Sequence, residues 1–525
     1  MVLFSAFVFL ATYFKERKNE RNWLIDFLND KPSKILVLIL VSTSGFLFLI
    51  ASSWHFYHLT KSFYDSFLFH DADYIGISDF LLSIANGEGF QTHYYSETGG
   101  SYLNHHFAPG SFILAPFVKL FPYRMGLAFG CLFFYQAATL LWLYFGYSQY
   151  RTEMESGNFQ SSLPFYLFWI VILNQQYLYR IGSSYHFEIL VTFFAFFFFL
   201  SYAKLSELRN QIKLSGLVWL FLSLLLYLSI KEDISIYLFL FILPLMYRSF
   251  QTRNNQAVKL QISIICIILL WGFFVFLLYP FLQGNNLGEH WKGELIKEYG
   301  NNYKQIQSNW KSAKILIEVF VSGGSAIFTQ SFESIGICLI YLIHFFSNRP
   351  WHHELYSYYS YSLLPMVLFT GVLLIKNWKE TRWSILFLCI MMVFYKNSLD
   401  SNFPLDPMKI LESRLESKKT QQEEFLKDAI EISKITQNKS VIYSQYNLCI
   451  FLPDSIQTKP LTLATKDCSA KNKDCLMLIA PELTDEELWP KDRILLIQLE
   501  FERLGAKKTY TGQVSELWYL PKTIK

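Results

Sequence analysis

Asp71, Asp73 and Asp79 crowd into the stretch 71–79 (DADYIGISD). The imidazoles of His105 and His106 follow in Asn104-His105-His106-Phe107-Ala108-Pro109-Gly110. A carboxylate is a natural general base for a hydroxyl nucleophile, and carboxylates with imidazoles are also the donor set of divalent metals. A lone Asp in a polar segment is a solvated loop residue; three together, followed by a His-His pair, form a candidate site. Three more polar clusters recur along the chain: Tyr185-His186-Phe187-Glu188, Lys231-Glu232-Asp233 and Arg349-Pro350-Trp351-His352-His353-Glu354. Arg matches a phosphate bidentately, so the last cluster suits a phosphate or a sugar. Each cluster also has a plain structural reading. Glu188 could favour a helix N-terminus electrostatically, Lys231–Asp233 could be a solvated turn, and Tyr356, Tyr358, Tyr359 and Tyr361 suit an interfacial aromatic belt.

These clusters have to be held by membrane-spanning elements. Of 525 residues 52% are hydrophobic and only 17% are charged, against about 25% charged in a typical soluble domain. That excludes a cytosolic globular enzyme and a disordered chain. A span needs about 20 mostly apolar residues. Eleven stretches approach this: 35–54, 125–147, 163–181, 187–203, 214–230, 234–247, 261–280, 314–329, 333–347, 361–375 and 383–397. The expected fold is therefore an all-α polytopic membrane bundle of residues 35–398, with an external loop at 55–124. A small C-terminal α/β domain of residues 399–525 follows. Residues 406–436 place apolar side chains at helical spacing, and Ser440–Tyr443, Leu476–Ile479, Ile494–Leu499 and Leu517–Leu520 read as strands.

Lys and Arg placement orients the spans. Lys15, Arg17, Lys18, Arg21, Lys31 and Lys34 make residues 15–34 cytoplasmic, and the turns with Lys204, Arg209 and Lys213, with Arg248, Arg253 and Lys259, and with Lys376, Lys379 and Arg382 agree. Residues 1–14, the start of the N-terminal 1–34 segment, are either a short extra span or an interfacial helix. The 281–313 loop, with Lys292, Lys297, Lys304 and Lys311, is the one segment whose charge opposes its outside placement. All four polar clusters then fall on the outer face together with the tail, although none was used to set the orientation. The stretch 108–121, broken by Pro109 and Pro116, reads as an interfacial helix. Cys131, Cys266, Cys338 and Cys389 lie in apolar runs and read as small core residues. Cys468 and Cys475, in the polar tail, either bridge or stay free thiols. No CxxC occurs.

At these residues the chain resembles the bacterial predicted-membrane-protein family known as domain of unknown function 2079. The likeness is carried by Asp73–Phe90 (DYIGISDFLLSIANGEGF), His106-Phe107-Ala108-Pro109, His186-Phe187-Glu188, Lys231-Glu232-Asp233 and Lys439–Leu452 (KSVIYSQYNLCIFL). Two departures stand out: His105 where the family tends to have Asp before its His-Phe-Ser-Pro, and Ala108 in place of that Ser. The family is similar, distantly, to the GT-C glycosyltransferases, which take a sugar from a polyprenyl-phosphate carrier. The stretch His106–Phe121 resembles the interfacial helix of protein mannosyltransferases.

The resemblance implies a transferase at the outer face of the bacterial inner membrane, moving sugar from a polyprenyl-phosphate-linked donor to a glycan, lipid or protein acceptor. Asp73 is the expected base, with Asp71 and Asp79 as alternatives. The leaving phosphate needs cationic stabilisation, for which Lys231, Arg349 and the histidines are candidates. Donor or substrate contacts are expected among His105, His106, His186, Glu188, Lys231, Glu232, Asp233, Arg349, His352, His353 and Glu354. The resemblance makes no cofactor certain; a divalent metal held by the acidic and histidine groups is left open. The partners are the bilayer, the lipid-linked sugar and the acceptor, with no nucleic acid. The alternative is a non-enzymatic polytopic membrane protein, a transporter or an envelope scaffold. A transporter would usually show repeats and ionisable groups near the bilayer midplane, whereas here the charges lie at span ends and no repeat is visible.

Overall fold

The computed structural model describes residues 50, 54, 72–92, 94, 100–121, 125–155, 186–206, 213–283, 332–346, 361–376, 407–436, 441–449, 451–453, 456–469, 474–483 and 491–522. The chain divides into two compact units. One draws on Met1–Phe56, Phe133–Arg180 and Glu188–Asn402, the other on Tyr57–Leu132, Ile181–Phe187 and Phe403–Lys525. In chain order the elements begin with α1 (Ala72–Ala85), the short strands β1 (Gln91–Thr92) and β2 (Gly100–Ser101), and α2 (Ala115–Leu120). Then come α3 (Gly126–Glu155), α4 (Leu190–Ser206), α5 (Leu214–Leu228), α6 (Ile234–Gln251) and α7 (Asn255–Leu282), followed by α8 (Phe332–Phe346) and α9 (Leu364–Lys376).

The stretches 125–147, 187–203, 214–230, 234–247, 261–280, 333–347 and 361–375 fall on helices. Among the described residues, 4 helical segments are long and apolar enough to cross a bilayer: Gly126–Gly146, Phe187–Ser206, Ile234–Gln251 and Asn255–Leu282. The helix α5 has 15 residues, a rise of about 22 Å against a hydrocarbon core of about 30 Å. On this measure α5 is a shorter apolar helix, and four of the eleven expected spans are long and apolar enough among the described residues. Residues 1–34, 163–181, 314–329 and 383–397, and 35–54 apart from 50 and 54, lie outside the described residues.

Aromatic packing holds the helical unit. The Phe-rich α4 packs on α5 and α9, and α6 on α7 and α8. Phe199 stacks on Phe369 at 4.6 Å, the buried Trp142 Nε1 donates to the Thr192 carbonyl at 3.0 Å, and Gln261 Nε2 reaches Tyr202 Oη at 2.7 Å. Where α8 crosses α6, a Cβ at Gly336 would lie 2.9 Å from the Phe241 Cα, the close backbone approach that small residues permit in membrane bundles. The helix α7 instead leaves Ile262, Leu269, Leu270, Phe273, Leu277 and Phe281 exposed, an outward apolar face suited to lipid. Cys266 is exposed on the same helix, while Cys131 is buried and Cys338 half-buried, so the reading of these cysteines as core residues fits Cys131 best.

The tail opens with α10 (Pro407–Ile435), close to the expected helix. It continues through β3 (Val441–Ser444), the turn-long α11 (Tyr446–Cys449), β4 (Gln457–Pro460), α12 (Ala464–Ser469), β5 (Cys475–Ile479), α13 (Lys491–Arg503), β6 (Lys507–Thr511) and β7 (Glu516–Leu520). The sheet order is β4-β3-β5-β7-β6. β3 runs parallel to β4 and β5, and β7 runs antiparallel to β5 and β6. The strand expected at Ile494–Leu499 is instead the middle of α13. Ile494 and Phe501, seven positions apart, are buried while Leu495, Leu496 and Leu499 are exposed, a helical and not an alternating pattern. Tyr443, Leu461, Cys468, Met477, Ile494, Phe501 and Trp518 build the core, and a Cys468–Cys475 disulfide ties α12 to β5.

A buried carboxylate clasps the far edge of the sheet to α10. Asp428 accepts from the amides of Gln513, Val514 and Ser515 at 3.0–3.1 Å, from Ser515 Oγ at 2.8 Å and from Tyr510 Oη at 3.1 Å. Burial, with Asp428 alongside, pushes the Tyr510 phenol up to about 12. A side chain at Gly512 would overlap the same carboxylate. Asp428→Asn replaces an acceptor oxygen with a donor facing donors, so it should cost about 2–4 kcal/mol. Hydrogen exchange of the 507–520 amides in the full-length protein should accelerate accordingly. Gly512→Ala should act in the same direction, and unchanged protection in both variants would exclude the clasp.

Candidate functional site

The helix α1 begins at Ala72, so Asp73 sits in its first turn, where the helix dipole favours a negative charge. Its carboxylate is 34% exposed, and Oδ2 lies 3.9 Å from Nε2 of the 5% exposed His186. The sequence places Asp73 and His186 more than a hundred positions apart; the fold brings them together. Asp79 is a different case. Six positions further along the helix, it points away from Asp73 and accepts from Thr92 Oγ1 of β1 at 3.3 Å.

Stacked rings set the approach of His186. Phe80 of α1 stacks on Tyr102 at 4.1 Å, and Phe187 meets both edge-on, at 6.5 Å and 6.0 Å. Edge-to-face pairs of this kind are worth about 0.5–1.5 kcal/mol each beyond their buried area. The turn Tyr102–Asn104 carries His105 and His106 next in line, and both amides donate to the Tyr102 carbonyl at 2.8 Å and 3.0 Å. The two imidazoles meet edge-to-face at 4.5 Å, with His105 exposed and His106 half-buried. Within 108–121 a 3-10 stretch, Pro109–Leu114, runs directly into α2, so that Pro109–Leu120 forms one short apolar helix. Pro109 and Pro116 each sit at the start of their own turn, where a missing amide costs nothing. The exposed Phe112 and Leu120 retain the apolar face that was expected.

The tail closes this loop. Tyr94 Oη and Thr458 Oγ1 of β4 share a hydrogen bond of 2.6 Å, the Tyr94 ring lies 5.8 Å from the Tyr446 ring, and α11 packs against α1. The turn-long α11 follows the carboxyl end of β3, where the sheet's order reverses between β4 and β5. Open α/β sheets bind ligands in the crevice at such a point. Here Gln445 spans it, its Oε1 accepting from the Ala480 amide at 2.6 Å, and Asn447 Nδ2 donates to the Leu483 carbonyl at 2.6 Å. The Tyr446 phenol is pushed up by burial and by Cys449 and Asp73, and Arg493 of α13 partly offsets the shift. Tyr94, Tyr446, Thr458 and Arg493 carry no sequence signal that ties them to Asp73, and sequence reasoning missed them.

The helical unit holds a second polar group. Lys231 and Glu188, 3% and 2% exposed, form an ion pair of 3.1 Å, with Asp233 Oδ2 3.7 Å from the same ammonium. Asp233 also accepts from Ser362 Oγ at 3.2 Å, and Glu232 is half-buried. In the Lys231-Glu232-Asp233 turn Lys231 is thus buried, while Glu232 and Asp233 stay partly exposed. The Lys231 ammonium is held between two carboxylates. His344, buried on α8 with its ring 5.5 Å from Tyr237, is an ionisable residue within an apolar helix, a signal that the sequence did carry. Asp71, Arg349, His352, His353 and Glu354 lie outside the described residues. Among the described residues no group of His, Cys, Asp and Glu is arranged to hold a metal ion.

A family model described as predicted membrane protein, domain of unknown function 2079, matches residues 76–495. The chain belongs to this family. Asp79, His105, His106, His186, Glu188 and Lys231–Asp233 fall inside the match, and Asp73 lies three positions before it. No curated protein matches the chain.

The buried pair yields a test of its role. Lys231→Met leaves Glu188 and Asp233 without their cation and should cost about 3–5 kcal/mol, measured as lost monodispersity after heating in detergent. Adding Glu188→Gln should recover most of that. A Lys231→Met protein as stable as wild type would contradict the ion-pair assignment.

Proposed function

We propose that this membrane protein transfers a sugar from a polyprenyl-phosphate donor to an envelope acceptor at the outer face of the bacterial inner membrane. The Asp73–His186 pair carries the reading. Asp73 is exposed enough for an acceptor hydroxyl to reach it, and the ring-packed His186 turn faces its carboxylate. The acceptor oxygen attacks the anomeric carbon from the side opposite the phosphate. Its proton passes to Asp73, and the carbon–oxygen bond to phosphate breaks with its electron pair on the leaving phosphate. Asp73 suits the base better than Asp79 because it is one-third exposed and faces the His186 imidazole.

Two observations support the outer side. The Tyr94–Thr458 hydrogen bond requires loop and tail to share one side of any bilayer, opposite the basic 15–34 segment in the charge reading. The Cys468–Cys475 disulfide suits an oxidising compartment. The transporter or scaffold alternative has one observation in its favour, the buried Lys231–Glu188–Asp233 group, since ionisable residues inside a helical bundle often serve transport.

Asp73→Asn keeps the side-chain shape but cannot accept a proton at neutral pH. It should lower transfer about 100- to 10,000-fold with normal expression, whereas Asp79→Asn should cost far less. The measurement is complementation of a deletion strain, with lipid-linked sugars and envelope glycans read by mass spectrometry. Near-normal function of both variants would remove the acidic helix from the mechanism and favour the alternative. A C-terminal alkaline phosphatase fusion should be active and a C-terminal green fluorescent protein fusion dark; the reverse pair of results would place the site on the cytoplasmic side.

A further inference from the structure

We propose that the Cys468–Cys475 bridge is a redox-sensitive lock on the Tyr94–Thr458 closure, opened by a dithiol reductant. The inference does not depend on the transfer reading, because it concerns how the loop after α1 is held and not what reacts there.

One continuous segment links the bridge to the closure. The strand β4 runs into a 3-10 turn, Leu461–Leu463, and then directly into α12, which carries Cys468. At one end of this segment Thr458 shares its hydrogen bond with Tyr94. At the other, the disulfide ties Cys468 to Cys475, the first residue of β5. The strand β4 is an edge of the sheet, with its ladder on the β3 side, so its placement leans on what α12 adds. Asp467, the residue before Cys468, accepts from Tyr443 Oη of β3 at 2.8 Å and from Lys459 Nζ of β4 at 3.2 Å. Lys459 is the neighbour of Thr458. The bridge thus holds a carboxylate that pins both strands beside the residue that receives Tyr94.

A bridge across a sequence separation of 7 restricts the unfolded chain far less than one that closes a long loop. Its effect is therefore mainly on the local placement of α12. The domain keeps other anchors without it: Leu461 and Ala464 lie in the core, and Asp428 clasps the far edge of the sheet. Opening the bridge loosens β4 and α12 and leaves the sheet standing. Both cysteines are 1% exposed, but α12 ends one position beyond Cys468, at the exposed Ser469, and helix ends open locally at little cost. A thiolate of the reductant then attacks one sulfur, and the other leaves as a thiolate. The second thiol of the reductant displaces the cysteine held in the mixed disulfide. The reductant departs as a disulfide, and its two electrons and two protons end on the thiols of Cys468 and Cys475.

The test uses the full-length protein in phosphatidylcholine nanodiscs, with and without dithiothreitol as the dithiol. Alkylation and mass spectrometry show whether Cys468 and Cys475 are reduced, and hydrogen exchange follows the backbone. On reduction, exchange at Tyr94 and across 457–469 should accelerate at least about tenfold, the size of one lost buried hydrogen bond. The 513–515 amides, held by Asp428, should keep their protection, and removal of the dithiol with reoxidation should restore the slow exchange. A Cys468→Ala/Cys475→Ala protein should exchange like the reduced wild type and give no further response to dithiothreitol, which excludes the other cysteines. Asp467→Ala, with the bridge intact, should loosen 457–459 by itself. A bridge that dithiothreitol leaves closed in the folded protein would overturn the lock. So would reduction without a change at Tyr94, or an equal acceleration at 513–515, which would make the bridge a staple of the whole domain.

Discussion

A single hydroxyl pair, Tyr94 with Thr458, joins residues 364 positions apart in the chain. Both side chains are buried, so each oxygen would lose its water without gaining a partner if the contact were broken, at a cost of about 1–3 kcal/mol. Within the second unit, the packing around α1 depends on this closure. It holds the loop after α1 against β4, brings the Tyr94 ring to Tyr446, and so keeps α11 on the helix that carries Asp73. It also constrains topology, because two segments that share a buried hydrogen bond cannot lie on opposite faces of a bilayer.

The two polar groups differ in kind, and burial separates them. Lys231, Glu188 and Asp233 lie close together in the helical unit, with Ser362 on the Asp233 carboxylate. A buried charge surrounded by opposite charges is satisfied by its neighbours and is poorly suited to recruit a new ligand. The Asp73 carboxylate is one-third exposed and faces an imidazole at a distance longer than a hydrogen bond. That geometry is loose enough to tighten around a substrate, as acid–base groups often do. The sequence presents both groups as similar charge clusters at the ends of apolar runs; the structure buries and pairs one internally and leaves the other one-third exposed.

Where the sequence misled, the cause was a local pattern that two structures share. Ile494-Leu495-Leu496-Ile497 is a short apolar run, which a buried strand or a helix can equally contain. The choice falls to the helix because Ile494, Ile497, Phe501 and Leu504 meet the core along one helical face, while Leu495, Leu496 and Leu499 stay outside. The strands β4 and β6 escaped notice for the opposite reason. Their sequences, QTKP and KKTYT, are polar, since both are edges of the sheet, where charged residues and Pro protect an open strand. Apolarity alone does not separate a helix long enough to cross a bilayer from a shorter apolar one such as α5, so the sequence marks apolar stretches more readily than it fixes their lengths.

By itself, the sequence determined that this chain is a helical membrane protein with a small α/β tail, and it determined the family. Those conclusions rest on composition, on runs of apolar residues and on ordered short motifs, all of which are local properties. It also marked Asp73, His186, Glu188 and Lys231 as polar residues in unusual surroundings. Only the tertiary structure decided how they group: Asp73 with His186 and Lys231 with Glu188, although His186 and Glu188 are separated by one residue. It alone brought Tyr94 to Tyr446, whose short helix packs on the helix that carries Asp73. The physical reason is that such pairings are made by packing between segments far apart in the chain, through stacked rings at Phe80, Tyr102 and Phe187 and one buried hydroxyl pair, and long-range packing leaves no periodic trace in the sequence.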